Sequence, residues 1–157
     1  MIVLRDVISS DENIYKVMLN DTDLTDYLSR FYPNNSSIAD YDTSKVCWLI
    51  IEEDTNCIGS VWLERDSEET DTMILGIFIS GANNRGKGIG SYAIKEALRI
   101  SKQRMSFKYV RLNVRKSNLR AIRCYEKCGF RICGEGRKKS KDSKIIEYHQ
   151  MIMIIEE

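Results

Sequence analysis

The chain has 157 residues, of which 43% are hydrophobic and 30% charged, a length and balance typical of one globular domain. Its formal net charge of +1 argues against a nucleic-acid partner held by bulk charge. No apolar run approaches the roughly 20 residues that span a bilayer, and residues 1–6 lack the basic and apolar segments of a signal peptide. We therefore expect a cytoplasmic protein with no membrane partner.

The first third of the chain predicts one strand and two helices. Residues 2–6 are mostly apolar and predict a short first strand. Ser9 or Ser10 is suited to cap the first helix. A second helix fits residues 24–31, and the only proline, Pro33, is expected to help end it.

The middle of the chain predicts three neighbouring strands. Residues 46–52 and 57–63 are apolar, β-branched and aromatic runs, and the turn-forming residues 54–56 between them predict a hairpin. Residues 73–80 are almost wholly apolar, which is expected of a central strand buried on both faces.

The last third predicts two helices and three strands. The second of these helices begins at a cap, Ser117 or Asn118, and Gly129 is a typical stop signal for it. The lysine-rich residues 137–144 are expected to form a solvated hairpin loop. The predicted helices cover residues 89–103 and 119–127, and the predicted strands cover residues 109–114, 130–134 and 145–155.

Together these elements follow the order β-α-α-β-β-β-α-β-α-β-β. This order predicts an α/β sandwich, formed by a single domain over residues 1–157, in which helices flank a mixed sheet. The long apolar strand at residues 145–155 can pair inside this sheet or across a homodimer, and the sequence does not choose between the two.

The five cysteines predict neither a disulfide framework nor a metal site. An odd number of cysteines in a chain expected in the cytoplasm argues against disulfides. Cys124, Cys128 and Cys133 supply three sulfurs, and no CxxC or Cys/His cluster completes a zinc tetrad. We therefore expect half-buried thiols and no bound metal.

A glycine-rich segment lies between the predicted strand at residues 73–80 and the helix that follows. Arg85-Gly86-Lys87-Gly88-Ile89-Gly90 carries a glycine at every second position. A strand–turn–helix connection of this kind points several free backbone N–H groups at one place, with the helix dipole behind them. Glycine lets an anion approach the backbone, and Arg85 and Lys87 add positive charge. The segment therefore predicts a phosphate-binding loop.

Two common nucleotide motifs do not fit this loop. A P-loop requires Ser or Thr directly after its lysine, but Gly88 follows Lys87. A dinucleotide-binding fold requires a later third glycine and an acid about twenty residues on. Gly90 comes one residue early, and residues 97–125 contain no acid. Both nucleotide alternatives are therefore excluded.

A second block of sequence accompanies the loop at residues 117–130. It contains Asn118, Ala121, Tyr125 and then Gly129-Phe130. This spacing resembles the Asn-x-x-Ala-x-x-x-Tyr-x-x-x-Gly-Phe pattern of the GNAT family of N-acetyltransferases, and the glycine loop resembles that family's Arg/Gln-x-x-Gly-x-Gly/Ala signature. The resemblance spans about residues 46–155. It implies a mixed, mostly antiparallel sheet that splays apart at an acetyl-CoA site.

The resemblance also implies which residues bind the acetyl donor. The loop would hold the coenzyme A pyrophosphate, and Asn118 would contact the pantetheine arm. The backbone of the strand before the loop would bind that arm like an added strand. The residues expected to bind acetyl-CoA are Ile77, Phe78, Ile79, Arg85, Gly86, Lys87, Gly88, Ile89, Gly90, Asn118 and Tyr125.

Tyr125 is the catalytic residue that the resemblance implies, since it would meet the leaving sulfur. It lies two helical turns after Asn118, so both side chains can point at one ligand. A tyrosine (pKa about 10) is a weaker acid than a thiol (about 8.5), so full proton transfer to the thiolate is uphill. A hydrogen bond to the developing thiolate fits better.

The general base is harder to assign. The resemblance implies that a primary amine attacks the thioester directly in a ternary complex, and the amine must be neutral to do so. Many family members carry a glutamate on the strand before the glycine loop, but residues 73–79 have no carboxylate. Glu64 and Asp66, at the end of the preceding strand, are the best candidates for the missing base. Either could take the proton of the amine directly or through a water molecule.

Acidic residues concentrate on the presumed acceptor side and favour a cationic amine. They include Glu64, Asp66, Glu68, Glu69 and Asp71, with Asp21, Asp23 and Asp26 near the second helix.

Three functions stay open for the acceptor side. The block at residues 117–130 is similar to that of aminoglycoside 6'-N-acetyltransferases and of ribosomal-protein N-terminal acetyltransferases. An acid-lined cleft would favour a cationic small molecule such as an aminoglycoside, and an open groove would favour a protein N-terminus. A non-catalytic acetyl-CoA-binding regulator is the third alternative, motivated by the missing strand carboxylate.

Overall fold

The computed structural model describes residues 1–67, 70–140 and 142–155, without the side chains of residues 25 and 26. Glu68, Glu69 and the side chain of Asp26, three of the acids expected near the acceptor, lie outside the described residues. The strands are β1 (Ile2–Asp6), β2 (Val46–Glu53), β3 (Asn56–Arg65), β4 (Thr72–Ile79), β5 (Tyr109–Arg115), β6 (Arg131–Lys139) and β7 (Ile145–Ile154). The α-helices are α1 (Glu12–Met18), α2 (Thr22–Tyr27), α3 (Ile89–Arg104) and α4 (Leu119–Cys128).

Within the described ranges, seven strands form one sheet in the order β1-β2-β3-β4-β5-β7-β6. β4 and β5 are parallel, and all the other neighbours are antiparallel. β4 and β5 are joined by three residue pairs, from Thr72 with Tyr109 to Ile74 with Arg111, and then part. The predicted mixed, mostly antiparallel and splayed sheet is therefore confirmed.

The hairpin of β2 and β3 forms as predicted, with a tighter turn. Glu53 pairs with Asn56, so Asp54 and Thr55 alone make the turn. Their φ angles are 49° and 74°. Two residues with positive φ give the type I′ geometry, whose twist matches that of the flanking strands.

The first helix does not begin at the predicted cap. Ser9 and Ser10 lie in a short 3₁₀ turn before α1, and neither hydroxyl caps it. Instead Asp11 accepts a hydrogen bond from the N–H of Ile8 at 2.8 Å. The carboxylate of Asp11 thus fixes the entry to α1.

The second helix starts and ends earlier than predicted. The carboxylate of Asp21 accepts a hydrogen bond from the N–H of Asp23 at 3.1 Å and caps α2. Leu28 already has an extended backbone, so Pro33 plays no part in ending the helix. The earlier end frees residues 28–34 to reach other strands.

The lysine-rich segment joins β6 to β7 as predicted, but the loop is shorter, because residues 137–139 still belong to β6. β6 continues to Lys139 and pairs with β7 along this stretch. Arg137 lies opposite Glu147, and the two form an ion pair at 3.3 Å. A cross-strand pair of opposite charge supports strand pairing. Counting the charges of residues 137–144 alone does not reveal this pair, because its acid lies on the opposite strand.

Apolar side chains form one cluster on each face of the sheet. One cluster packs α3 and α4 against the buried side chains of Val110, Leu112 and Val114. The other packs α1 and α2 against β2, β3 and β4 around Trp48 and Trp62. No helix of the described ranges is both long and apolar enough to cross a membrane.

Candidate active site

A cleft of about 810 Å³ lies where β4 and β5 part. The end of β4, the glycine-rich loop, the start of α3, one side of α4 and α2 bound it. Among its lining residues are all those predicted to bind the donor except Lys87, namely Ile77, Phe78, Ile79, Arg85, Gly86, Gly88, Ile89, Gly90, Asn118 and Tyr125.

The glycine-rich loop offers unpaired backbone N–H groups to this cleft. Gly86 and Gly88 have φ angles of 76° and 81°, and a Cβ on either would enter open space. In the part of the chain that the structure describes, the N–H groups of residues 86–91 donate to no protein acceptor. Positive φ favours glycine, and free N–H groups at the start of a helix form an anion site.

Gly90 lies close to neighbouring elements, but a Cβ there would make only ordinary van der Waals contacts. A Cβ there would lie 3.4 Å from Sγ of Cys124 and 3.6 Å from Cδ1 of Ile79. The start of α3 therefore passes close to both α4 and β4 at this position.

The two basic side chains of the loop do not point at the anion site together. Arg85 is held by an ion pair with Asp21 and by two hydrogen bonds to the carbonyl oxygen of Ile79, at 2.9 and 3.1 Å. Lys87 is exposed and does not line the cleft. The positive character of the cleft therefore rests on the backbone N–H groups of the loop and on three basic side chains of α4, Arg120, Arg123 and Lys127, which also line it.

The edge of β4 that faces the gap exposes the backbone of alternate residues. The N–H of Ser80 donates to the carbonyl of Ile58 in β3 at 2.7 Å. Since backbone groups alternate sides along a strand, those of Ile79 and Ile77 point into the gap. Phe78 faces β3 with its backbone, and its side chain is buried in the cluster under α1 and α2.

Asn118 and Tyr125 are positioned by α4. The side chain of Asn118 caps the helix by accepting a hydrogen bond from the N–H of Ala121 at 3.2 Å. Tyr125 is 7% exposed, and its ring packs edge-on against Phe130 at a centroid distance of 5.9 Å. Burial, followed by the nearby Cys124, raises the pKa of Tyr125, so the hydroxyl stays protonated and can donate a hydrogen bond into the cleft.

Cys124 is a cleft residue that the sequence analysis expected only as a half-buried thiol. It lies beside Tyr125 on α4, with its Sγ 3.4 Å from the hydroxyl oxygen of Ser91 on α3. A hydrogen bond from Cys128, together with Ser91 and nearby lysines, lowers the pKa of Cys124 despite partial burial. The sequence offered one indication that Cys124 lies in the cleft, namely its position directly before the predicted catalytic residue, Tyr125.

α2 also lines the cleft, which no motif indicated. Asp23, Leu24, Tyr27 and Leu28 form the wall opposite α4. This short helix is held across the gap at both ends. Asp21 at its start binds Arg85, and the carbonyl of Leu28 at its end accepts a hydrogen bond from Arg115 at 3.1 Å.

Neither carboxylate proposed as the base lines the cleft. Glu64 is 4% exposed, forms an ion pair with Arg30 and accepts a hydrogen bond from the N–H of Asn34 at 2.5 Å. Asp66 lies 3.5 Å from the guanidinium of Arg111. Both carboxylates are engaged by arginine and support the structure around the site.

The other described acids of the acceptor side are paired as well. Asp21 binds Arg85, Asp23 lies 3.6 Å from the same guanidinium, and Asp71 lies 3.8 Å from Lys108. Asp23 is the one acid among the described residues that line the cleft. The described part of the chain also holds no group of His, Cys, Asp and Glu side chains that could bind a metal ion.

The fold and the loop geometry agree with the match to a protein family. The model of the acetyltransferase (GNAT) family matches residues 12–130, well over half of the chain. The chain therefore belongs to the GNAT acetyltransferase family.

Individual relatives match over less of their length. The aminoglycoside N(6')-acetyltransferase type 1 of Klebsiella pneumoniae is 36% identical over 74 residues, which are 46% of this chain and 35% of that protein. The chain thus matches about a third of this curated relative.

Two solved structures share the whole fold. A putative phosphinothricin N-acetyltransferase is 20% identical and superposes over 100% of both chains with a TM-score of 0.80. The spermidine N-acetyltransferase of Vibrio cholerae, solved with CoA and spermine, is 21% identical, with a TM-score of 0.76 over 98% of this chain and 95% of that one. These likenesses show the fold.

Proposed function

We propose that the protein is an acetyl-CoA-dependent N-acetyltransferase that moves an acetyl group to a primary amine by direct attack. The observation that carries this proposal is one continuous cleft. Free N–H groups of residues 86–91 lie at one end of it, and the hydroxyl-bearing ring of Tyr125 lines the same cleft. A ligand with a diphosphate at one end and a thioester at the other matches this arrangement.

The donor would lie along the separated edge of β4. The backbone groups of Ile77 and Ile79 face the gap, so the amide groups of a pantetheine arm can pair with them as an added strand does. The carbonyl of Ile79 is partly used by Arg85, which leaves Ile77 as the main partner. An N–H directed into the gap also stabilises the oxyanion that forms when the amine attacks.

Tyr125 would stabilise the leaving group. When the amine attacks the acetyl carbonyl, the carbon–sulfur bond breaks and the thiolate accepts a hydrogen bond from the Tyr125 hydroxyl. Because burial raises the pKa of this tyrosine, the proton stays on its oxygen, and solvent supplies the proton that the thiolate finally takes up. The ring packing against Phe130 fixes the direction of the hydroxyl.

Among the described residues of the cleft, the one carboxylate, Asp23, lies 3.6 Å from the guanidinium of Arg85, so no carboxylate there is free to act as the base. The amine therefore loses its proton to water, and amines of lower pKa have the larger neutral fraction. This missing base also favours the second candidate function, a non-catalytic acetyl-CoA-binding regulator. The protein N-terminal acetyltransferase stays a further alternative for the acceptor.

The relatives and the chain's own charges support different acceptors. The Klebsiella relative is named as an aminoglycoside acetyltransferase, which supports a multiply cationic acceptor. Of the acids expected to receive such a cation, four of those that the structure describes, Glu64, Asp21, Asp71 and Asp66, are instead paired with Arg30, Arg85, Lys108 and Arg111.

Release of free thiol from acetyl-CoA tests the catalytic proposal. The purified chain would be incubated with acetyl-CoA and a panel of amines: amino acids, polyamines, an aminoglycoside and short peptides with free N-termini. We expect thiol release above the buffer rate with at least one class. Binding of acetyl-CoA by calorimetry without thiol release from any class would favour the regulator, and absence of binding would overturn both.

A further inference from the structure

One side of α4 carries three cations, Arg120, Arg123 and Lys127, which we call the basic row. All three are exposed, and all three line the cleft that contains the glycine-rich loop. An α-helix turns by about 100° per residue, so these side chains lie within about 60° of one another around the helix axis. They therefore form one stripe along about two turns of α4.

Acids do not neutralise the basic row. In the described part of the chain, no carboxylate forms an ion pair with any of its three members. Glu126, the one acid of α4, does not line the cleft. Asp23, which does line it, lies 3.6 Å from the guanidinium of Arg85 instead. The row therefore presents three uncompensated positive charges to the cleft.

The basic row and Tyr125 lie on different sides of α4. Tyr125 is about 140 to 160° around the helix from each member of the row. Cys124 lies between them, and its Sγ would be 3.4 Å from a Cβ on Gly90 at the start of α3. A hydrogen bond from Cys128 lowers the pKa of Cys124, and the charge of Lys127 adds to this effect. The glycine-rich loop therefore faces the part of α4 between Tyr125 and the basic row.

A ligand that fills the cleft meets three kinds of group in turn. Tyr125 lies at one end, the free N–H groups of residues 86–91 follow, and the basic row lies beyond them. Tyr125 and the N–H groups are the places proposed above for the thioester and the diphosphate. The basic row has no part of the donor assigned to it, and its charge predicts a further anionic group there.

Acetyl-CoA carries such a group at the matching position. Its ribose bears the diphosphate on the 5′-carbon and a phosphate monoester on the 3′-carbon, so the 3′-phosphate lies on the far side of the diphosphate from the thioester. A phosphate monoester has a charge of about −1.5 to −2 at neutral pH. Guanidinium groups bind phosphate through two parallel hydrogen bonds, and a lysine adds a point charge. The basic row supplies two guanidinium groups and one ammonium group.

We propose that the basic row binds the 3′-phosphate of the donor, so that the protein selects acetyl-CoA over acetyl thioesters that lack this phosphate. The inference rests on the proposed acetyltransferase function and concerns its choice of donor. Free N–H groups at the start of a helix bind phosphates in general, so the glycine-rich loop alone does not distinguish between such thioesters. The basic row does, because only the complete coenzyme brings a dianion to it.

Acetyl-CoA and acetyl-dephospho-CoA, which differ only in the 3′-phosphate, test the inference. Calorimetry measures the dissociation constant of each, so the test does not depend on the identity of the acceptor. We expect acetyl-CoA to bind at least about tenfold more tightly, which corresponds to one charged hydrogen bond. This preference should shrink at high salt, because the basic row is exposed and salt screens exposed charges.

Substitutions in the basic row locate the site. The double variant Arg120→Gln/Arg123→Gln should reduce the ratio of the two dissociation constants at least about fivefold, and Lys127→Gln should reduce it about threefold. Both variants should bind acetyl-dephospho-CoA as the wild type does, since this donor lacks the group that the row binds. Lys102→Gln is the matched control for Lys127→Gln, because Lys102 is an exposed lysine of α3 that does not line the cleft. It removes the same charge, and its ratio should equal that of the wild type.

Three results would overturn the inference. The first is equal binding of the two donors by the wild type, which leaves the proposed function intact. The second is a ratio that the double arginine variant leaves unchanged, whether it binds both donors normally or both more weakly. The third is no binding of either donor, which overturns the proposed function as well.

Discussion

The guanidinium of Arg85 is bound to the carboxylate of Asp21, so the first residue of the glycine-rich motif ties the loop to α2. The same carboxylate accepts a hydrogen bond from the N–H of Gly81 at 2.8 Å. Arg85 also holds the carbonyl of Ile79 at the end of β4. One half-buried arginine therefore fixes the relative positions of the loop, the strand and the helix that together bound the cleft.

The first prediction concerns the stability that Asp21 provides. Desolvation raises the pKa of Asp21, but the hydrogen bonds from Gly81 and Arg85 outweigh it and hold the pKa below the ordinary 3.8. A carboxylate with a depressed folded-state pKa stabilises the fold above its unfolded pKa and loses that effect as pH falls. We expect Asp21→Asn to lower the free energy of unfolding by about 2 kcal/mol at neutral pH, measured by urea titration.

The difference between wild type and Asp21→Asn should shrink as pH falls below 3.8, because protonated Asp21 also loses its charge. Asp23→Asn is the control. Asp23 is 58% exposed and 3.6 Å from Arg85, so its loss should cost under about 1 kcal/mol. Equal effects of the two variants would contradict a special role for Asp21.

The second prediction concerns the anion site. Gly88→Asp should weaken acetyl-CoA binding at least about 100-fold, because its carboxylate would project into the space that the diphosphate needs. Gly88→Asn has the same shape and tolerates a positive φ similarly, so it should bind much more tightly than the aspartate variant. Calorimetry measures both, and undiminished binding by Gly88→Asp would refute the phosphate assignment.

The third prediction concerns Tyr125. Tyr125→Phe keeps the ring that packs against Phe130 but removes the hydroxyl, so kcat should fall about 100-fold with acetyl-CoA affinity preserved. Because the pKa of Tyr125 is raised above 10.0, the wild-type rate should show no loss from tyrosine ionisation below that pH. Steady-state kinetics across pH check both points, and an unchanged kcat in Tyr125→Phe would exclude the tyrosine from the reaction.

The fourth prediction concerns Cys124. The lowered pKa of Cys124 gives this thiol a larger thiolate fraction at neutral pH than an ordinary cysteine has. Iodoacetamide should therefore modify Cys124 at neutral pH and continue to do so near pH 6, where ordinary thiols react much more slowly. Saturating coenzyme A should protect Cys124, because this residue lines the cleft. Peptide mass mapping measures the modification at each cysteine.

Cys133 supplies the internal control for that experiment. It is exposed and does not line the cleft, so coenzyme A should not change its modification. Cys124→Ser should keep its acetyl-CoA binding after treatment with iodoacetamide, whereas the wild type should lose it. Modification of Cys124 that coenzyme A does not slow would show that the thiol lies outside the bound donor.

The sequence predicted those parts of the fold that depend on local patterns. The hairpin of β2 and β3, the apolar β4 and the helix between Asn118 and Gly129 formed near their predicted bounds, because turn residues, strand alternation and helix caps act within a few positions. The starts of α1 and α2 were missed. Each is set by one carboxylate, Asp11 or Asp21, that an arginine from outside the helix holds in place: Arg5 for Asp11 and Arg85 for Asp21.

The residues of the candidate site also fall into two groups, those that local sequence patterns identify and those whose roles depend on distant partners. Gly86 and Gly88 could be identified from sequence because positive φ and an open approach to the backbone require glycine at those positions. The roles of Arg85 and Glu64 could not be, since each depends on a partner more than thirty residues away: Asp21 lies 64 residues from Arg85, and Arg30 lies 34 from Glu64. Charge counted along the chain predicted an acidic acceptor side, but the acids that the structure describes there are paired with arginine or lysine. The sequence by itself determined the family and the position of the glycine-rich loop. The tertiary structure decided which of the described charges are paired, because long-range ion pairs form only once the sheet has brought their partners together.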